Sequence, residues 1–214
     1  MLAASLLFAR KVSLARILIV IVVCVAGLAI RAGARPSETP KPKVSDQPFT
    51  AEQLAIYRLI LTGWMSGGPD PLNLVVQTDA FPMDGAWDAH DCLKGLDVEP
   101  NDPLVVHRFA PEDLAQLSPA RVRLVERDAQ EKDEKANDPW KSFQRGKPLK
   151  DALKNGFAHG FAWFSEIRFD KSHSHAVVFY GFICGDLCGN GGTAILEKTK
   201  DVWKVKSQCS EWES

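Results

Sequence analysis

Hydrophobic positions change their spacing several times along the chain. Residues 17–30 read Ile-Leu-Ile-Val-Ile-Val-Val-Cys-Val-Ala-Gly-Leu-Ala-Ile without a charge, behind Arg10, Lys11 and Arg16 and ahead of the small residues Ala32-Gly33-Ala34. This is the layout of an export signal. As a helix these fourteen residues span about 21 Å, short of the ~30 Å hydrocarbon core. A cleaved signal over residues 1–34 fits that length. A retained anchor also fits, with Val12 to Ala15 extending the helix if Arg16 snorkels. Residues 35–48 hold Pro36, Pro40, Pro42 and Pro48 among polar side chains, the composition of an extended linker. The folded unit is therefore expected over residues 49–214.

Within it, Thr50-Ala-Glu-Gln53 is a capping box after Phe49 and before the spaced apolar positions Leu54, Tyr57, Ile60, Leu61 and Trp64. The pattern predicts a helix ending near Gly67-Gly68. Short strands are expected over 72–78, 105–109 and 122–125, with a helical turn over 111–116 and a long irregular excursion over 81–103. The charge run at 128–139 reads as solvated loop or frayed helix. Leu149, Ala152, Leu153, Gly156 and Phe157 follow the spacing of one buried helix face that stops at Gly160. Four strands are expected after it, over 163–169, 175–183, 193–198 and 202–207. The second is apolar on both faces and so central, while Glu166 and Arg168 mark a wetter face of the first. Short connections make these strands an antiparallel meander, and helices ahead of a terminal meander define the fold class as α+β, with a mainly antiparallel curved sheet.

Three segments also resemble a recurring pattern in a family of uncharacterised exported bacterial proteins. They are Phe164-Ser-Glu-Ile-Arg-Phe-Asp170, Cys184-Gly-Asp-Leu-Cys-Gly-Asn-Gly-Gly-Thr193, and Leu196-Glu-Lys198 followed by Trp203-Lys-Val205. The closing strands with Trp-Lys-Val are similar to the end of NTF2-like domains. The first resemblance implies that the Gly/Cys loop is a family feature. The second implies a sheet that encloses a pocket.

Composition narrows function mainly by exclusion. The whole chain has a formal charge of -1, with 26 basic and 27 acidic side chains. Arg10, Lys11, Arg16 and Arg31 lie in the first 34 residues, which contain no acid, so residues 35–214 carry 22 basic against 27 acidic groups, a net of -5. A nucleic-acid partner is not expected for such a balance.

Cys92, Cys184, Cys188 and Cys209 are an even number in an export context, so disulfides are the leading reading. Of three connectivities, Cys184 with Cys188 and Cys92 with Cys209 is favoured, because the first pair lies within one tight loop. A four-thiolate zinc site would want two close pairs, whereas Cys92 and Cys209 are singletons. Gly185, Gly189, Gly191 and Gly192 could present backbone N–H groups to an anion, but no Walker-type Lys-Ser/Thr follows. Asp84, Asp88, His90 and Asp91 could bind a cation or act as acid and base, although they match no known ligand spacing. His173 and His175 flank one residue in an expected turn, with no third ligand. Trp64, Trp163 and Trp203 fall at expected core positions, and Trp87, Trp140 and Trp212 in loops or the tail. No cofactor is implied.

The reading that results is an exported, non-catalytic domain that binds an envelope ligand or protein. The alternatives are an envelope hydrolase using Asp84, Asp88 and His90, or a structural partner held in the membrane through residues 17–30.

Overall fold

The computed structural model describes residues 41–64, 71–81, 93–98, 105–117 and 121–214. The signal or anchor at 1–34, residues 35–40 of the linker, Trp87, Asp84, Asp88, His90, Asp91 and Cys92 lie outside the described residues. Lys41–Ser214 is one compact unit, and its architecture is α+β.

Its elements in chain order are β1 (Lys43–Val44), α1 (Ala51–Trp64), β2 (Leu72–Val75), β3 (Val105–Val106), a 3-10 turn (Pro111–Asp113) running into α2 (Leu114–Leu117), and β4 (Val122–Val125). They continue with α3 (Arg127–Ala136), α4 (Pro139–Gln144), α5 (Leu149–His159), β5 (Phe161–Phe164), β6 (Arg168–Phe169), β7 (His175–Gly185), β8 (Cys188–Thr199) and β9 (Val202–Glu213). The main sheet has the order β4-β2-β5-β7-β8-β9, with β6 paired to β7, while β1 and β3 form a separate two-stranded piece. The expected antiparallel meander is β5-β7-β8-β9. Beyond β5 the sheet turns parallel, because β2 pairs with both β4 and β5 in the parallel sense.

The capping box forms as read. Gln53 N donates to Thr50 Oγ1 at 3.2 Å and Thr50 N to Gln53 Oε1 at 2.9 Å, which satisfies two donors at the start of α1. This start aims Leu54, Tyr57, Ile60 and Leu61 at one face of the sheet, where they bury with Leu74, Ala162, Phe164, Val178, Leu196 and Trp203. Glu52 locks the helix to the meander, since Oε1 accepts from Lys198 Nζ at 2.8 Å and from Trp203 Nε1 at 3.0 Å. The Lys198 hydrogen bond holds the Glu52 carboxyl below its ordinary value, with Trp203 acting the same way against the effect of burial. A smaller cluster of Phe81, Val177 and Phe179, joined by Leu93, Leu96, Val98 and Trp163, covers part of the opposite face. Strand β7 is thus covered on both sides, as its apolar sequence predicts.

Four expectations change. The charge run at 128–139 is mostly helix α3, because Gln130 and Glu134 have something to bury against. Gln130 Nε2 donates to His159 O at 2.7 Å, and His159 Nδ1 meets Asp133 Oδ2 at 2.7 Å, which ties α3 to the end of α5. The face of α5 is also rotated from the reading. Ala152 and Gly156 are buried, but Leu149, Leu153 and Phe157 are exposed. Gly156 explains the rotation: a Cβ there would stand 2.5 Å from Pro139 Cγ, so the helix is drawn in along its smallest residues. The expected wet face of the first meander strand is buried. Arg168 lies over the Phe81 ring at 5.2 Å, and Glu166 turns inward to His107. Finally, strand alternation in 202–207 would put Val205 inward with Trp203, but Val205 is exposed, after a register shift in the β8/β9 ladder between Ile195 and Leu196.

The turn from β6 to β7 is organised by Asp170. Its Oδ1 accepts from Ser174 N at 2.8 Å and His175 N at 2.9 Å, and its Oδ2 accepts from Ser172 Oγ at 2.7 Å and Ser174 Oγ at 3.0 Å. Burial acts to raise this carboxyl, but the donors, led by His175 N, outweigh it and hold Asp170 well below the carboxylate range. A depressed folded-state value contributes stability that is complete above the unfolded value of about 3.9 and is lost as pH falls below it. Asp170→Ala is therefore expected to cost about 2 kcal/mol at pH 7. In urea titrations, the difference from the parent should shrink as pH is lowered from 5 toward 2.

Candidate functional site

One rung of the sheet has the sequence Trp-Gly-Gly-Trp. Trp163 on β5 pairs with Gly181 on β7, Gly181 with Gly191 on β8, and Gly191 with Trp212 on β9. Paired positions present their side chains on the same face, so two indoles flank a strip with no side chains. Both rings lean over that strip. A Cβ on Gly181 would lie 2.7 Å from the Trp163 indole, and one on Gly191 would lie 2.6 Å from Trp212 Nε1. The glycines are thus the floor on which the rings rest.

The two indoles border a cleft of about 570 Å³, together with Phe179 and Ile183 from β7, Ser165, Asp79, Ala80 and Arg127. The lining is mainly apolar, and its polar edge is an ion pair. Arg127 Nη2 donates to both Asp79 carboxylate oxygens, at 2.8 and 2.9 Å. The main chain fixes Asp79 in place: its N–H donates to Phe164 O, and its carbonyl accepts from Glu166 N, both at 2.8 Å. Arg127 is the first residue of α3, two positions past the end of β4 at Val125. Burial pushes the Asp79 carboxyl above its ordinary value while Arg127 pulls it down. The ion pair therefore offers the cleft both donors and acceptors with little net charge.

A second cluster joins a carboxylate to an imidazole. Glu166 Oε1 accepts from His107 N at 2.7 Å and from the Thr78 hydroxyl, and Oε2 meets His107 Nδ1 at 2.9 Å. Thr78 Oγ1 also accepts from His107 N at 3.0 Å, and the Phe49 ring packs 5.2 Å from the imidazole. This network braces three separate chain segments: the tail of β2, the tail of β3 and the link between β5 and β6. Close by, Tyr57 donates to Ser165 O at 3.0 Å, and burial pushes its phenol up.

The residues singled out in the sequence fall as follows. Cys184 and Cys188 are disulfide-bonded, with Cα atoms 5.0 Å apart. Cys209 is disulfide-bonded as well and pairs across the ladder with Thr193; Cys92 is outside the described residues. Asp84, Asp88 and His90 are outside them too. The glycine-rich loop is shorter than read. The β7–β8 connection is the two residues Asp186–Leu187, and Gly189, Gly191 and Gly192 lie in strand β8, paired with Ile183, Gly181 and Tyr180. No open loop remains to cradle an anion, because those backbone groups belong to the ladder. Gly185 alone sits at the turn, with φ +149, where a Cβ would meet Pro139 Cδ at 2.5 Å.

His173 stacks on Phe169 at 4.9 Å, whereas His175 faces Asp170 and Glu197, so the two imidazoles are not a pair. Among the described residues, no group of three or more His, Cys, Asp or Glu is placed to hold a metal ion. No described helix is long and apolar enough to cross a membrane.

The sequence reading missed the cleft. It set Trp163 in the core and Trp212 in the tail, and singled out neither Asp79 nor Arg127. The available signal was the pair Gly181 and Gly191 in apolar strands, where glycine commonly marks close approach of another group. No family model, curated protein or solved structure matches the chain.

Gly181→Ala is expected to push the Trp163 ring off the floor. The overpacking should cost about 1–3 kcal/mol and change the near-ultraviolet circular dichroism of the tryptophans, while the far-ultraviolet spectrum stays the same.

Proposed function

We propose that this chain is a non-catalytic binding domain of the cell envelope that seats a saccharide ring against Trp163 and Trp212. The observation that carries this reading is the Trp163-Gly181-Gly191-Trp212 rung, which lays two indoles over a glycine floor and turns their other faces toward the cleft. Indoles supply large apolar contact area at low entropic cost and carry a polar handle on the ring nitrogen. A cleft of about 570 Å³ falls in the ordinary range for small-ligand sites, which are mostly apolar with a few fixed polar groups. The Asp79–Arg127 pair is that polar edge, and its balanced charge favours an uncharged ligand with hydroxyl groups over an ion. A pyranose matches this combination, with an apolar C–H face for the indole and a rim of hydroxyls for the ion pair.

Two features support the envelope part of the reading. The signal-like layout of residues 1–34 and the Cys184–Cys188 disulfide both belong to an oxidising compartment.

Titration calorimetry and tryptophan fluorescence with cello- and chito-oligosaccharides, and with free aromatic amino acids for comparison, test the proposal. Saccharide binding is expected, weakened about tenfold or more by Trp163→Ala and by Trp212→Ala, a loss of about 1.4 kcal/mol. Binding only of the aromatic amino acids, or binding indifferent to both substitutions, would remove the saccharide reading.

A further inference from the structure

The helix pair α4–α5 lies apart from the cleft's lining and carries a surface of a different kind. Trp140, Phe143, Leu149, Leu153 and Phe157 are 45%, 42%, 52%, 37% and 57% exposed. In α5 the spacing i, i+4, i+8 sets Leu149, Leu153 and Phe157 in one stripe, and Lys150 and Lys154 form the adjacent one. Buried Ala152 and Gly156 occupy the other flank of the stripe, where Gly156 sits against Pro139 of α4. The Trp140 and Phe143 rings lie 5.8 Å apart on α4.

Charge is concentrated here as well. Residues 139–159 contain five cations (Lys141, Arg145, Lys147, Lys150 and Lys154) against one acid, Asp151. The rest of the folded unit is net acidic, so this stretch is an island of positive charge. Lys141 pairs with Asp186 at 2.9 Å, whereas Arg145, Lys147, Lys150 and Lys154 are exposed.

We propose that α4–α5 docks on an anionic lipid surface, with its aromatic and leucine side chains in the headgroup–acyl boundary and its lysines on the lipid phosphates. An apolar stripe flanked by Lys and Arg, with an aromatic at the boundary, is the pattern of a helix lying in a membrane interface. Charge complementarity selects this occupant over a second copy of the chain. A two-fold interface presents the same patch from both partners and would bring two basic islands face to face. A lipid phosphate layer instead draws each nearby basic side chain by about fivefold in partitioning.

The test mixes the full chain with vesicles of phosphatidylcholine alone or with phosphatidylglycerol added, and reads lysine acetylation by mass spectrometry. With phosphatidylglycerol at low salt, Lys147, Lys150 and Lys154 are expected to be protected about fivefold or more, and Lys204 on β9 to react as before. High salt should remove the protection. Two variants at exposed positions, Trp140→Glu with Phe157→Glu, and separately Lys150→Glu with Lys154→Glu, should leave the far-ultraviolet circular dichroism unchanged and abolish protection at Lys147. Equal labelling with both vesicle types, or protection that survives both variants, overturns the proposal. Protection without vesicles that grows with protein concentration also overturns it and assigns the face to a second copy.

Discussion

The fold turns on a strand that is apolar on both faces. Buried residues of β7 alternate between two clusters, Ala176, Val178 and Tyr180 on one side and Val177 and Phe179 on the other. Such a strand cannot sit at an edge or face water, so each side of the sheet needs a cover. Helix α1 supplies one, pinned by Glu52 to Lys198 and Trp203. The other cover is assembled from pieces: the Phe81 cluster over Val177 and Phe179, and the two indoles further along. At Gly181 and Gly191 the cover is the indole rings themselves. Glycine in a strand costs roughly 0.5–1 kcal/mol relative to alanine, and at Gly181 and Gly191 that cost is offset by ring-to-backbone contact no other residue would permit.

Local signals in the sequence were legible where the cause was local. The Thr50–Gln53 box marks the start of α1, the doubly apolar pattern of 175–183 makes β7 central, and Gly160 ends α5. Long-range causes were not legible. Nothing near Leu72 announces parallel pairing with both β4 and β5, since register between distant segments has no local signature. The charged helix α3 forms because Gln130 and Asp133 reach His159 on α5, a partner that a periodicity argument about 128–139 does not see. The same limit hid the cleft, because Trp212 acquires meaning only once β9 is in register with β8. It also misplaced the α5 face, where close contact between Gly156 and Pro139 outweighed the larger apolar side chains.

The β7–β8 hairpin connects the two surfaces described above. At its tip, Asp138 on the threshold of α4 accepts from Asp186 N at 2.7 Å and from Lys141 N at 2.7 Å. Burial works to raise the Asp138 carboxyl, and these backbone donors more than reverse it. The Cys184–Cys188 bond closes the hairpin just behind this contact. Further along the same two strands, Gly181 and Gly191 form the floor beneath Trp163 and Trp212. One cross-linked hairpin thus touches the start of α4 at its tip and carries the glycine floor of the indoles in its strands.

Strand β5 occupies the seam where the parallel and antiparallel halves of the sheet meet, and this placement bears on how the chain is made. Asn73 Nδ2 donates to Gly160 O at 2.7 Å across 87 residues of sequence, next to the β2/β5 pairing. As the polypeptide leaves the ribosome, β2 and β4 can pair early, but β2 then presents an open, apolar edge until the segment beginning at Phe161 has emerged. Unpaired edges of that kind invite intermolecular strand addition. The nascent first half is therefore the stage at which this protein would most need a holding chaperone, and that need ends when β5 slots into the seam.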